Sequence, residues 1–161
     1  MKAFSVAGEI IGRKKLQKII YIAKKINLPF YEKFNFHFYG PYSEELTLRV
    51  EELCNLNFLN EVKEEKGDYV QYRYSLTETG GQFLSHYQLD MPPLDDAIKM
   101  LNEENARFLE LVSTVLYFDT LPKSDVKEKV FTLKSKQRYT DEEVEKAYVF
   151  IDSLSKELIP Q

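Results

Sequence analysis

At 161 residues, with 43% hydrophobic and 30% charged side chains and a formal net charge of −4, the chain is long enough to bury a core and has the composition of a soluble globular protein. No apolar run nears the roughly 18 residues that span a bilayer, and Glu9 cuts the N-terminal apolar stretch too early for a secretory signal. One cysteine, Cys54, leaves no disulfide framework and fits a reducing cytoplasm, while the separated His37 and His86 offer no zinc spacing.

Leu16, Ile19, Ile20, Ala23 and Ile26 recur at helical spacing and predict a first amphipathic helix. Lys14, Lys15, Lys18, Lys24 and Lys25 occupy its remaining surface, and Asn27 and Pro29 end it. Residues 30–39 are dense in Phe and Tyr; Phe34, Phe36 and Phe38 alternate with Asn35 and His37, as in a short extended segment. Gly40-Pro41 punctuates it. Ser43 is the expected N-cap of an acidic helix that opens with Glu44 and Glu45 and buries Leu46, Val50, Leu53 and Cys54. Asn55 or Asn57 closes that helix.

A hairpin is predicted next, starting at Val62, turning at Glu65-Lys66-Gly67-Asp68 and returning through Val70, Tyr72, Tyr74 and Leu76. Thr77 caps a final short helix carrying Phe83, Leu84 and Tyr87. Tyr74-Ser75-Leu76-Thr77-Glu78-Thr79-Gly80 resembles the Y-x-L-T-x-x-G ending of many winged-helix proteins. Met91-Pro92-Pro93 reads as a linker. Beyond it all is helical: Leu94 to Tyr117 with a break near Asn102–Asn105, a shorter helix after Pro122, and a last helix with a Thr140/Glu143 capping box. The expected fold class is therefore α+β, mostly helical. Residues 1–90 form an N-terminal winged helix-turn-helix domain, and residues 94–161 form a helical extension packed on it or forming a dimer interface.

The charges are segregated. Residues 1–40 carry +6, residues 41–90 carry −6, and residues 91–161 carry −4. The second helix of the turn motif, which would have to enter the major groove, presents Glu44, Glu45, Glu51 and Glu52 against Arg49 alone. The hairpin tip, Glu61 to Asp68, mixes four acids with two lysines. Phosphate contact needs positive or donor groups, so conventional DNA readout through this helix is disfavoured. The basic first helix reads as a solvated lysine face; the alternatives are a patch for an acidic partner protein or for the chain's own acidic half in a dimer, or a patch for phosphate. The aromatic segment reads as core filling, with an exposed binding patch as the alternative. On the hairpin, Tyr69, Gln71 and Arg73 are better placed for exposure than Phe34–Phe38.

No Gly-rich phosphate loop, nucleophile elbow or Cys/His signature is present. Asp95-Asp96 and Glu103-Glu104 are adjacent pairs that diverge by about 100° on a helix. Cys54 reads as a small buried apolar residue. No enzymatic activity, cofactor or metal is expected.

Three motifs together resemble the YwgA-type proteins of Gram-positive bacteria. They are G-R-K-K-L-Q-K-I-I-Y at 12–21, F-x-F-Y-G-P-Y-S-x-x-L at 36–46, and the run from Glu110 to Tyr117. The resemblance extends over nearly the whole chain, and the Tyr39-Gly40-Pro41 turn after the Leu-Gln-Lys helix is its most specific part. The first helix and that turn are also similar, more remotely, to the Panacea antitoxin domain, whose members neutralise partner toxins by direct association.

Two functional readings follow. One is a cytoplasmic, non-enzymatic winged-helix module that docks another protein or itself, regulatory or antitoxin-like, with Tyr39, Tyr42, Glu44, Glu45, Arg49, Glu52, Tyr69 and Arg73 as contact residues. The alternative is a dimeric DNA-binding transcriptional regulator, with Lys14, Lys15, Lys18, Lys134, Lys136 and Arg138 meeting phosphates. Neither involves a membrane.

Overall fold

The computed structural model describes residues 1–38, 40–86 and 94–157. Tyr39, Tyr87 and the Met91-Pro92-Pro93 linker lie outside these. Among the described residues the fold is α+β, with eight α-helices, one 3-10 turn and two small antiparallel sheets.

The chain opens with two elements too short to announce themselves by periodicity, helix α1 (Lys2–Ala7) and strand β1 (Glu9–Ile11). Helix α2 (Arg13–Lys25) follows at Gly12, whose φ of +109° suits glycine and whose N–H donates to the Tyr72 carbonyl at 2.7 Å. Its buried face is broad: Leu16, Ile19, Ile20, Tyr21, Ile22 and Ala23 are all shielded. Asn27, left-handed at φ 72°, stops it.

Between α2 and the next helix lies a small hairpin of β2 (Asn35–His37) and β3 (Gly40–Tyr42), paired Asn35↔Tyr42 and His37↔Gly40. Helix α3 (Glu44–Asn55) begins as expected, with the Ser43 Oγ accepting from the Leu46 N–H at 3.0 Å. Leu46 and Val50 are buried, whereas Leu53 and Cys54 are only half-buried. Strand β4 (Leu59–Lys66) starts three residues before the alternation predicts and β5 (Tyr69–Leu76) one residue before, and the two turn through Gly67 at φ +65°. β1 joins β5, so the sheet order is β1-β5-β4, with buried Ile10 opposite buried Tyr74.

Helix α4 (Glu78–His86) is capped by the Thr77 hydroxyl, which accepts from the Gly80 N–H at 2.9 Å. A Cβ at Gly80 would sit 2.1 Å from the Phe58 carbonyl oxygen, so the glycine of the Y-x-L-T-x-x-G ending permits a close backbone approach. Helices α5 (Asp95–Glu103) and α6 (Ala106–Tyr117) break where the sequence predicts, with the Asn105 side chain accepting from the Phe108 N–H. Helix α7 (Lys123–Leu133), the 3-10 turn (Ser135–Gln137) and helix α8 (Asp141–Glu157) complete the chain. The Thr140/Glu143 capping box forms in both directions at 3.2 Å.

α6 lies along α2, α1 along α5, and α8 along α6. Ile19 and Ile22, Leu109 and Val112, and Ala147 and Leu154 therefore belong to one continuous apolar cluster.

Candidate functional site at α3 and the β4–β5 hairpin

Leu48 is 57% exposed on α3. Glu44, Glu45, Glu51 and Glu52 stand three or four residues away on either side, so the leucine is ringed by carboxylates on one helix face. Arg49, the one cation there, is held by Glu45 at 3.9 Å and Glu52 at 3.3 Å. Leu56 at the C-terminal end of α3, with Val62, Tyr69 and Val70 on the adjoining hairpin, adds further exposed apolar surface. Arg73 bonds to Glu9 and, at 2.9 Å, to Glu64, whose carboxyl is held below the usual range by that bond and by Gln71.

A cleft of about 320 Å³ separates α2 from α3 and the hairpin. Arg13 lies over the Tyr72 ring at 3.6 Å, donates from Nε to the Tyr74 hydroxyl at 3.3 Å, and pairs with Glu61 at 3.7 Å. Burial and the adjacent Glu61 push the Tyr74 phenol well above its ordinary value. Deeper in, Gln17 grips Ser43 on both sides: its Oε1 accepts from the Ser43 N–H at 2.8 Å and its Nε2 donates to the Ser43 carbonyl at 2.9 Å. Thr47 joins Gln17 and Tyr42. The cleft thus fixes α3 against α2.

The contact residues read from the sequence divide. Glu44, Glu45, Arg49 and Glu52 are exposed on α3, and Tyr69 is exposed on the hairpin. Tyr42 is half-buried, bonded to Thr47 and edge-on to His37, and Arg73 is half-buried between two carboxylates. Tyr39 is outside the described residues. Leu48, Leu56, Val62 and Val70 were not among the contact residues expected. Leu48 and Val62 had a readable signal: one lies off the buried Leu46/Val50 stripe, and the other shares the outward register of Arg73.

The phosphate set is corrected more sharply. Lys18, expected on a solvated face, is 2% exposed and donates to the Pro41 carbonyl at 2.8 Å. Lys134, expected in a basic loop cluster, is 5% exposed and bonds to the Phe38 carbonyl at 3.1 Å and Glu110 at 3.3 Å. The two ammonium groups meet beneath the β2–β3 hairpin. Desolvation lowers the Lys18 ammonium from 10.5 to about 8, with Glu110 opposing and Lys134 adding to the shift. Lys15 is half-buried and donates to the Asn102 carbonyl at 2.6 Å. Lys24 reaches the Glu32 carbonyl and Lys25 pairs with Asp119. Lys14, Lys136 and Arg138 are exposed. Half of the six cations of α2, Lys15, Lys18 and Lys24, are thus taken up by carbonyl oxygens that no charge count reveals.

The aromatic segment is neither wholly core nor wholly surface. Phe34 packs on Tyr21 and Phe36 on Tyr117 and Phe118, while Phe38 is 84% exposed, more than Tyr69. Cys54 is half-buried rather than buried, and burial with nearby Glu61 and Glu51 raises its thiol. Among the described residues no group of three His, Cys, Asp or Glu side chains is placed to hold a metal ion, and no helix is long and apolar enough to cross a membrane.

These features define a small α+β protein with an acidic, apolar-centred helix face beside a hairpin. No family model matches the chain. It is 66% identical over 156 residues to the protein named Uncharacterized protein YwgA of Bacillus subtilis (strain 168), covering 97% of this chain and 94% of that protein. The chain belongs to the YwgA family.

Proposed function

We propose that the chain is a non-enzymatic winged-helix protein-interaction module, regulatory or antitoxin-like, that docks a partner protein through α3 and the β4–β5 hairpin. The order helix, strand, helix, helix, hairpin, interrupted between α2 and α3 by the small β2–β3 hairpin and with β1 as the third strand, supports the winged-helix assignment. The observation that carries the functional reading is the exposed Leu48 among four glutamates, with Arg49 and Arg73 both held by carboxylates of the chain itself. An apolar centre with a polar rim suits a protein partner. A phosphate backbone would meet uncompensated carboxylates there.

The second reading, a dimeric DNA-binding regulator, draws on the same element order. The two separate on one experiment. Tagged chain and its Leu48→Glu and Tyr69→Glu variants are carried through Bacillus subtilis lysate, and the wild type is titrated in parallel with labelled genomic fragments at low and moderate salt. Partner retention by the wild type that both variants lose supports docking through this face. DNA affinity that falls steeply with salt and survives both substitutions overturns it.

A further inference from the structure

The charge-opposite of the α3 face occurs elsewhere on the same chain. Phe38 projects from the β2–β3 hairpin with Lys136 Nζ 6.0 Å from its ring centroid. The hairpin is tied to α7 from beneath. Lys134 joins the Phe38 carbonyl to Glu110 beneath the hairpin, Phe36 packs on Phe118 at 5.7 Å, and Lys129 of α7 stands 5.9 Å over the Phe118 ring. Leu133, 49% exposed, follows Lys129 by one helical turn. Among the described residues neither Lys129 nor Lys136 takes part in an ion pair, whereas neighbouring Lys123, Lys127 and Lys134 each do.

We propose that this patch docks the α3 face of a second copy of the chain, so that Phe38 and Leu133, flanked by ammonium groups, meet Leu48 within its ring of carboxylates. The complementarity is of both kinds: apolar centre to apolar centre, and lysine rim to glutamate rim, which fixes orientation and excludes like faces. A single-stranded nucleic acid fits less well. It needs a series of open rings for successive bases, and here Phe36 and Phe118 are half-buried with ammonium groups over them. The proposal rests on α3 being a docking face.

Charge reversal tests it with the full chain. The wild type, K129E/K136E and E51K/E52K are compared by sedimentation velocity from about 10 μM to about 1 mM, alone and mixed in equal amounts. The wild type is expected to self-associate, with an association constant that falls about tenfold or more as salt rises. Each variant alone stays at the 19.0 kDa of one chain, and the mixture yields a 1:1 complex of twice that mass. That outcome holds for a reciprocal two-fold dimer and for a head-to-tail pair, because each variant keeps one face intact and reverses the other. Far-UV circular dichroism verifies folding; F38S mixed with L48S repeats the test with neutral changes. A wild type that stays monomeric throughout, or a mixture without the complex, overturns the proposal. Binding of a labelled oligouridylate to the wild type that K129E/K136E abolishes, without self-association, assigns the patch to nucleic acid and also overturns it. If Leu48→Glu loses a lysate partner while the wild type is monomeric, the docking reading stands and this inference alone fails.

Discussion

Lys18 sets the residue-scale energetics. Its ammonium is shut from water between α2, the β3 turn and Glu110, so the folded state binds its proton less tightly than the unfolded chain does. Below about pH 8 both states hold the proton, and the folded state carries the whole burial cost. Between about 8 and 10.5 the unfolded chain holds more protons, and stability from this group rises with pH. Replacing Lys18 by methionine should remove that rise. In denaturant titrations the wild type should gain up to about 3 kcal/mol on the variant across that window. The buried phenols of Tyr21, Tyr74 and Tyr139, all raised, pull the other way above pH 10. They are common to both proteins and cancel in the difference. A flat difference would mean Lys18 reaches water more than its burial implies.

At the scale of elements, most helix and strand assignments rest on local signals, and these were legible. Ser43, Thr77, Asn105 and the Thr140/Glu143 pair all satisfy backbone N–H groups at the helix starts their types announce. α1 and β1 were not legible: a six-residue helix carries too little periodicity, and a three-residue strand exists only because β5 pairs with it more than 60 residues later. Gly80 was legible as a motif but not as a cause. It lets α4 cross the Phe58 carbonyl, which also accepts from the Thr77 N–H. A Gly80→Ala substitution should therefore cost roughly 2–4 kcal/mol, since backbone rather than a movable side chain blocks the new methyl. A fall in the thermal midpoint of only a degree or two would show that α4 can shift without consequence.

For the whole molecule, charge segregation along the chain was the strongest pattern in the sequence, and its basic half reaches the surface only in part, through residues such as Arg13, Lys14 and Lys33. The glutamates of α3 are exposed where the helix pattern puts them. Lys15, Lys18 and Lys25 of α2 are held by partners remote in sequence, such as Asn102 for Lys15, which no local window contains. The same long-range packing carries the apolar core from α2 through α6 to α8. A fragment ending at residue 90 would expose the α2 face that α6 covers. It should unfold without a cooperative transition, while the full chain unfolds in one, as calorimetry of the two would register. A cooperative transition in the fragment would show that residues 1–90 fold unaided.

The β2–β3 hairpin is fastened by Lys18 at the Pro41 carbonyl and by Lys134 at the Phe38 carbonyl. Main-chain oxygens are the same whatever residue bears them, so this grip is blind to side-chain identity at the hairpin tip. Position and recognition are thereby uncoupled at residue 38: its side chain can be changed while the loop stays where it is held. Phe38→Ser should accordingly leave the thermal midpoint nearly unchanged, so any loss of association it causes reports on the exposed ring and not on the loop's placement.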